Sequence, residues 1–274
     1  MSSTGTSRFH ALVLAGERHA ADPVAAAGGV SAKAFTPVAG RAMVLRVMDA
    51  LQKSGLVSAM TLCGPRRELL PDCPELLRRI ESGEAAWIDS GSSPSRSAMA
   101  GLDSIPAAMP VLITTADHPL LRSDMVTHFC RGAMDSGADA AAALAEFTRV
   151  SAAMPGTRRT VLRFRDAGYC GCNLYALMSP AGRGVVSHWR RGEESRKKPW
   201  RMIAELIGPA AALSYATGRL SLDDALDRLG RRLNLRVRAV VLPYPEAAVD
   251  VDTPADLELA ERLLRTTGQG TRPG

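Results

Sequence analysis

The sequence predicts a three-layer α/β/α domain with a mostly parallel sheet. From Phe9 onward, short and nearly continuous apolar runs alternate with segments of helical spacing, the pattern of strands buried on both faces between helices. The first run ends in a small-residue turn at Ala15-Gly16, and the fourth delivers the carboxylate Asp117. Ligands of open α/β sheets bind beyond the carboxyl ends of such strands.

The elements follow in chain order. Phe9-His10-Ala11-Leu12-Val13-Leu14 reads as a buried first strand. Ala15 to Thr36 reads as a loop rich in Gly and Ala, long enough for a compact domain to suggest a functional loop. A helix starts near Ala42, with Val44, Leu45, Val47, Met48 and Leu51 on its apolar side and Ser54-Gly55 as its stop. A strand over Ala59–Gly64, a helix over Pro74–Ser82, a strand over Ala86–Asp89 and a helix over Ser95–Ser104 come next. The Pro110–Thr115 strand leads to a helix at Ser123–Ser136 and a strand from Ala138 to Leu144. Beyond it the chain turns irregular and rich in Arg and Gly through Gly192, which predicts a subdomain. Helices at Pro199–Leu206, Ala210–Tyr215 and Ser221–Leu229, a last strand at Leu235–Leu242 and a helix at Pro254–Leu264 complete the expectation. Residues 1–8 and 266–274 read as disordered tails around one domain at 9–265.

With 274 residues, 46% of them hydrophobic, the chain can bury one large core. No apolar run approaches the roughly eighteen residues of a membrane span, and Met1 to Arg8 lacks a signal-peptide core, so a cytoplasmic protein is expected. Cys63, Cys73, Cys130, Cys170 and Cys172 are odd in number and never form a CxxC pair, which argues for reduced thiols. Cys170 and Cys172 share a face by strand alternation alone, the simpler reading beside metal chelation. The net charge of +6 and a pI near 9.4 point to an anionic partner. The densest basic stretch, Arg190 to Arg201, is flanked by Trp189 and Trp200, which keeps nucleic acid as a rival reading, but a phosphorylated metabolite is the expected partner and no nucleic acid is expected.

Four constellations carry chemistry. Leu14-Ala15-Gly16-Glu17-Arg18 after the first strand, with Lys33 downstream, has the logic of an anion site: a small-residue turn admits phosphate to the backbone, and Arg18 and Lys33 supply charge. Neither GxGxxG nor GxxxxGK[ST] is present, which disfavours dinucleotide and P-loop readings. In Thr114-Thr115-Ala116-Asp117-His118-Pro119, Asp117 is either a ligand for Mg²⁺ or the N-cap of the following helix, while His118 packs or hydrogen-bonds locally and is not expected to do acid or base work. In Asp250-Val251-Asp252-Thr253-Pro254-Ala255-Asp256, alternation sends Asp250 and Asp252 to one side, where they complete a metal site or cap the Pro254 helix. Ser90 to Leu102 is a polar turn running into a helix, in which Ser92, Arg96 and Ser97 suit a nucleobase or ribose.

In this order the segments resemble the GT-A-like nucleotidyltransferases, specifically the MobA-like NTP transferase group and the related cytidylyltransferases of isoprenoid synthesis. The matching residues are Leu14 to Arg18, Lys33, Pro37 to Met43, Ser97 to Leu102, Asp117, and Asp250 to Leu257. The resemblance covers about residues 9 to 120 and 236 to 265, so 9–150 becomes the nucleotide-binding part, 151–235 an acceptor-binding insertion and 236–265 the last strand and helix. It implies that Gly16 and the catalytic Arg18 and Lys33 hold the NTP triphosphate, with Leu14, Ala15 and Glu17 also in the nucleotide-binding site. It further implies that Asp117, Asp252 and Asp250 hold Mg²⁺, and that an acceptor phosphate attacks the α-phosphorus with release of pyrophosphate. CTP is slightly favoured by the serine segment. Between Arg18 and Lys33 the compact Gly-Gly-x-Ser-x-Arg-Met pattern of the molybdenum-cofactor enzymes is missing, so that substrate is not assigned.

The acceptor, a phosphorylated small molecule that includes lipid-linked candidates, is expected to meet Asn173 in Gly171–Tyr175 and the basic residues Arg190, Arg196, Lys197 and Lys198. A solvated charged surface is the other reading of that basic stretch. A GT-A glycosyltransferase using a sugar nucleotide and a non-catalytic nucleotide- or nucleic-acid-binding module are the rival functions.

Overall fold

The computed structural model describes residues 8–17, 22–188 and 204–269. Strands β1 (Phe9–Leu14), β2 (Pro37–Val38), β3 (Arg41–Ala42), β4 (Val57–Cys63) and β5 (Ala86–Ile88) come first. They are followed by β6 (Val111–Thr115), β7 (Ala140–Glu146), β8 (Leu162–Arg163), β9 (Gly168–Leu177) and β10 (Val237–Leu242). Helices α1 (Pro23–Gly28), α2 (Met43–Lys53), α3 (Pro74–Glu81), α4 (Pro94–Asp103) and α5 (Ser123–Asp135) are interleaved with them. Then come α6 (Phe147–Ala153), α7 (Pro209–Ala216), α8 (Leu222–Leu233) and α9 (Pro254–Gln269).

The main sheet has the order β10-β7-β9-β6-β1-β4-β5, with β8 paired to β9. β1 runs parallel to β4 and β6, β5 is parallel to β4, and β10 is parallel to β7. The expected three-layer, mostly parallel architecture is therefore the one observed. Alternation along β1 explains the layers. Phe9, Ala11 and Val13 join the large core shared with Met48, Leu51 and Phe129 of α2 and α5, whereas Leu12 and Leu14 face Ala98 and Leu102 of α4. A Cβ on Gly101 would come within 2.4 Å of the Leu12 side chain, so the glycine lets α4 lie directly on β1. Burial of such a leucine contributes about 1.5–3 kcal/mol.

Three expectations change. The Ala15–Thr36 stretch is not loop throughout: Asp22 caps α1 by accepting from the Val24 and Ala25 amides, Pro23 starts it and Gly29 ends it at φ 63°. The irregular middle contains β9, ten residues long, inserted antiparallel between β6 and β7 in the centre of the sheet. Cys170, Cys172, Leu174 and Ala176 form its buried face, and both thiols are free and buried, their pKa raised by desolvation. Finally, α9 continues to Gln269, past the expected end at Leu264 and into the stretch expected to be disordered. Most of the helix expected at Pro199–Leu206 lies outside the described residues, although Ala204 to Ile207 are helical. Among the described residues no helix is long and apolar enough to cross a membrane.

Candidate active site

The sheet brings the separate sequence segments to one edge. β1 and β6 are adjacent and parallel, with Leu14 opposite Thr115, and the Ala116 amide donates to the Leu14 carbonyl at 2.9 Å. The chain therefore leaves both strands side by side, into Ala15-Gly16 on one and Asp117 on the other. The Val251 amide then donates to the Asp117 carbonyl at 2.9 Å, so the 250–252 segment is laid against the end of β6. Val249 and Val251 are fully buried, which anchors this segment by its apolar residues while the aspartates project from it.

Lys33 joins the two aspartates. Its Nζ donates to Asp117 Oδ2 at 2.6 Å and to Asp252 Oδ1 at 2.8 Å. Burial would lower the pKa of this ammonium, but the charges and hydrogen bonds of Asp117 and Asp252 outweigh it and hold the pKa above the usual lysine value. A turn at Lys33–Phe35, with Ala34 and Phe35 buried, fixes the lysine backbone. The β2–β3 hairpin that follows turns through Ala39 and Gly40, both at positive φ, as a two-residue hairpin requires. It is fastened by Arg41, which contacts Asp49 and Glu75 at 2.8 Å each.

The capping alternatives separate cleanly. Arg122 occupies the N-cap position of α5, so Asp117 does not cap it. At α9, Thr253 and Asp256 hydrogen-bond reciprocally: the Thr253 amide and hydroxyl donate to Asp256 Oδ2, and the Asp256 amide donates back to the threonine hydroxyl. Asp252 is thus left to face Lys33.

Asp250 takes a different direction from Asp252. Its Oδ1 accepts from Arg159 Nη1 at 2.8 Å and its Oδ2 from Asn173 Nδ2 at 3.3 Å. Burial, with repulsion from Asp117 and Asp252, raises its pKa. Asn173 reaches this position because β9 bulges: Ala142 pairs with Tyr175 but Leu144 with Gly171, and Asn173 adopts φ 49°. Asparagine tolerates that left-handed conformation better than most residues. Arg159, whose side chain is 8% exposed, also contacts Asp256 at 2.9 Å. It went unrecognised in the sequence because nothing in Arg158-Arg159 separates a buried strut from a solvated pair.

The first turn is built for close approach. Gly16 is exposed, and a Cβ on it would come within 2.6 Å of the Ser90 Cβ. Gly64, at φ 82°, packs in turn on Gly16. Ser97 is buried and its hydroxyl accepts from the Gly91 amide at 3.0 Å, which closes the Ser90-Gly91 loop; Ser92 and Arg96 are exposed beside it. Glu17 pairs with Arg66 at 3.6 Å, and burial raises its pKa against the pull of that arginine. Arg18, Arg190, Arg196, Lys197 and Lys198 lie outside the described residues.

The donor set fits a divalent cation. Asp117 and Asp252 share one cationic atom, Asp117 Oδ1 is buried with no hydrogen-bond partner among the described residues, and all these donors are hard oxygens. Among the described residues no three His, Cys, Asp or Glu side chains form a metal cluster. Mg²⁺ on nucleotide phosphates commonly takes one or two protein carboxylates, which the pair Asp117 and Asp252 would match.

The model of the MobA-like NTP transferase domain matches residues 11–230 of this chain. The chain belongs to that family. This NTP transferase aligns with the structure of a hypothetical transferase from Thermus thermophilus at 31% identity and TM-score 0.72, over 91% of this chain and 99% of that one. It shares its fold with 4-diphosphocytidyl-2C-methyl-D-erythritol synthase from Anaerococcus prevotii, at 12% identity and TM-score 0.57 over 94% and 99% of the two chains. CMP:2-keto-3-deoxy-manno-octonic acid synthetase, determined with CTP, aligns at 15% identity and TM-score 0.56 over 96% and 100%. A comparison with curated protein sequences gives no match. Family membership makes this a nucleotidyltransferase-type enzyme.

Proposed function

We propose that this NTP transferase moves a nucleoside monophosphate from an NTP, with CTP slightly favoured, to a phosphorylated small molecule and releases pyrophosphate. The observation that carries the reading is the meeting of Asp117, Asp252 and Lys33 at the carboxyl end of β6, beside the Gly16 turn that ends β1. The CTP preference leans on the cytidylyl and CTP chemistry named for the two structural neighbours. A cytoplasmic setting, one domain over residues 9–265 and a soluble or lipid-linked acceptor belong to the same proposal.

In this reading Asp117 and Asp252 hold Mg²⁺, which supplies charge neutralisation on the phosphate oxygens when bound. The Gly16 turn admits the triphosphate to the backbone, and Arg18 and Lys33 offset charge on the departing pyrophosphate. Ser97 shapes the nucleotide pocket by holding the Ser90-Gly91 loop, with Ser92 and Arg96 at its rim. Asn173 and Arg159 keep Asp250 in place on the acceptor side, so Asp250 acts as a support for its neighbours. Arg190, Arg196, Lys197 and Lys198 are proposed to meet the acceptor phosphate.

The test is incubation with each of the four NTPs, Mg²⁺ and a panel of sugar, polyol and lipid-headgroup phosphates. Transfer of α-phosphate label to one acceptor with equimolar pyrophosphate supports the proposal. Sugar transfer without pyrophosphate in a parallel incubation with sugar nucleotides, or nucleotide binding without turnover on any acceptor, contradicts it.

A further inference from the structure

One cationic atom already stands between the two carboxylates that the proposed function gives to a metal. Lys33 Nζ lies 2.6 Å from Asp117 Oδ2 and 2.8 Å from Asp252 Oδ1, the distances of full hydrogen bonds to both. The lysine side chain is only 19% exposed, and its backbone is pinned by the buried Ala34 and Phe35. Asp117 keeps a second oxygen, Oδ1, buried and without a hydrogen-bond partner among the described residues. The ammonium thus offsets the charge of the pair without satisfying all of its acceptors.

We infer that Lys33 and the divalent cation are alternative occupants of the cleft between Asp117 and Asp252, so that the lysine guards the metal position until polyphosphate draws it away. The inference rests on the metal-binding reading given above. A divalent ion contacting the same oxygens would stand within a few ångströms of the ammonium, in a partly dry site where like charges repel strongly. Metal entering the resting protein therefore has to displace Lys33 from two ion pairs with no new anion to receive it. Polyphosphate bound at the Gly16 turn provides that anion. Metal and nucleotide consequently strengthen each other's binding, and by linkage the factor is the same in both directions.

The experiment is titration of the full chain with Mn²⁺ alone, without nucleotide, read by the loss of the free-ion paramagnetic resonance signal. The forms compared are the wild type, Lys33→Met, Lys33→Gln and the double variant Lys33→Met/Asp117→Asn, each checked for a cooperative thermal transition. Lys33→Gln keeps a polar head that hydrogen-bonds Asp117, so it serves where loss of the aliphatic-to-polar balance in Lys33→Met prevents folding. Removal of the ammonium is expected to tighten Mn²⁺ binding by between about 5- and 150-fold, the range of typical coupling between sites. The double variant is expected to lose that gain. Equal Mn²⁺ affinity in the wild type and both single variants, still abolished by the Asp117 change, overturns the shared-occupancy inference and leaves the metal site standing. Absence of any Asp117-dependent Mn²⁺ binding in every form overturns both.

Discussion

Arg159 Nη1 stands 2.8 Å from Asp250 Oδ1, and Nη2 of the same guanidinium stands 2.9 Å from Asp256 Oδ1. A single arginine from the segment before β8 thus clamps both ends of the turn that carries Asp252. Arg159→Ala should destabilise the fold by roughly 1–3 kcal/mol, because it leaves two carboxylates without their charged donors. It should also lower kcat by up to about 10²-fold through misplacement of Asp252. Denaturant midpoints and steady-state kinetics check both, and Arg159→Lys should restore stability more than rate, since an ammonium cannot reproduce the fork.

At the Gly16 turn the obstacle to a side chain is a single neighbour, the Ser90 Cβ at 2.6 Å from where a Cβ would stand. Gly16→Ala should therefore push the β1 turn away from the Ser90 loop, at a cost of about 1–3 kcal/mol for overpacking, and weaken nucleotide binding by about tenfold. Calorimetric titration with CTP measures it. The double variant Gly16→Ala/Ser90→Gly removes the obstructing carbon and should recover most of the affinity.

Much of this site was legible in the sequence because its residues end strands. Asp117 and the Gly16 turn follow apolar runs that pair as neighbours, and the sheet then brings them together without further instruction. The Thr253-Pro254 helix start was legible from Pro254 at the first helical position, whereas the β2–β3 hairpin was not read, its strands being two residues each. β9 was legible only in part, as an extended piece around Cys170 to Tyr175, and not as a ten-residue strand inside the sheet. Its buried face is made of the small residues Cys170, Cys172 and Ala176 with Leu174, and Gly171, Asn173 and Tyr175 alternate with them, so the apolar contrast between its two faces is weak. α1 was hidden by its length of six residues, set by Asp22 and Gly29 and not by any apolar stripe. Arg159 and Ser90 act through contacts far away in sequence, for which no local pattern exists.

His118 gives the fold a defined acid sensitivity. It is 1% exposed, and burial drives its pKa down to about 4 from 6.5. The folded state therefore favours the neutral ring, and between these two values the unfolded chain binds the extra proton. Stability from this group is fully present above pH 6.5 and is lost as the pH falls toward 4. Thermal transitions followed from pH 7 to pH 4 should show Tm falling across that window. The decline should be shallower in His118→Phe, even if that variant starts from a lower Tm.

The central claim is that one cation site formed by Asp117 and Asp252 serves nucleotidyl transfer. Its most direct test is pyrophosphate release, measured with saturating CTP, Mg²⁺ and the best acceptor, in the wild type, Asp117→Asn and Asp252→Asn. Each substitution removes a negative charge while keeping the side-chain shape, and each should cut the rate by about 10²- to 10³-fold with the fold intact by circular dichroism. Pyrophosphate release within a few-fold of wild type in either variant would contradict the account.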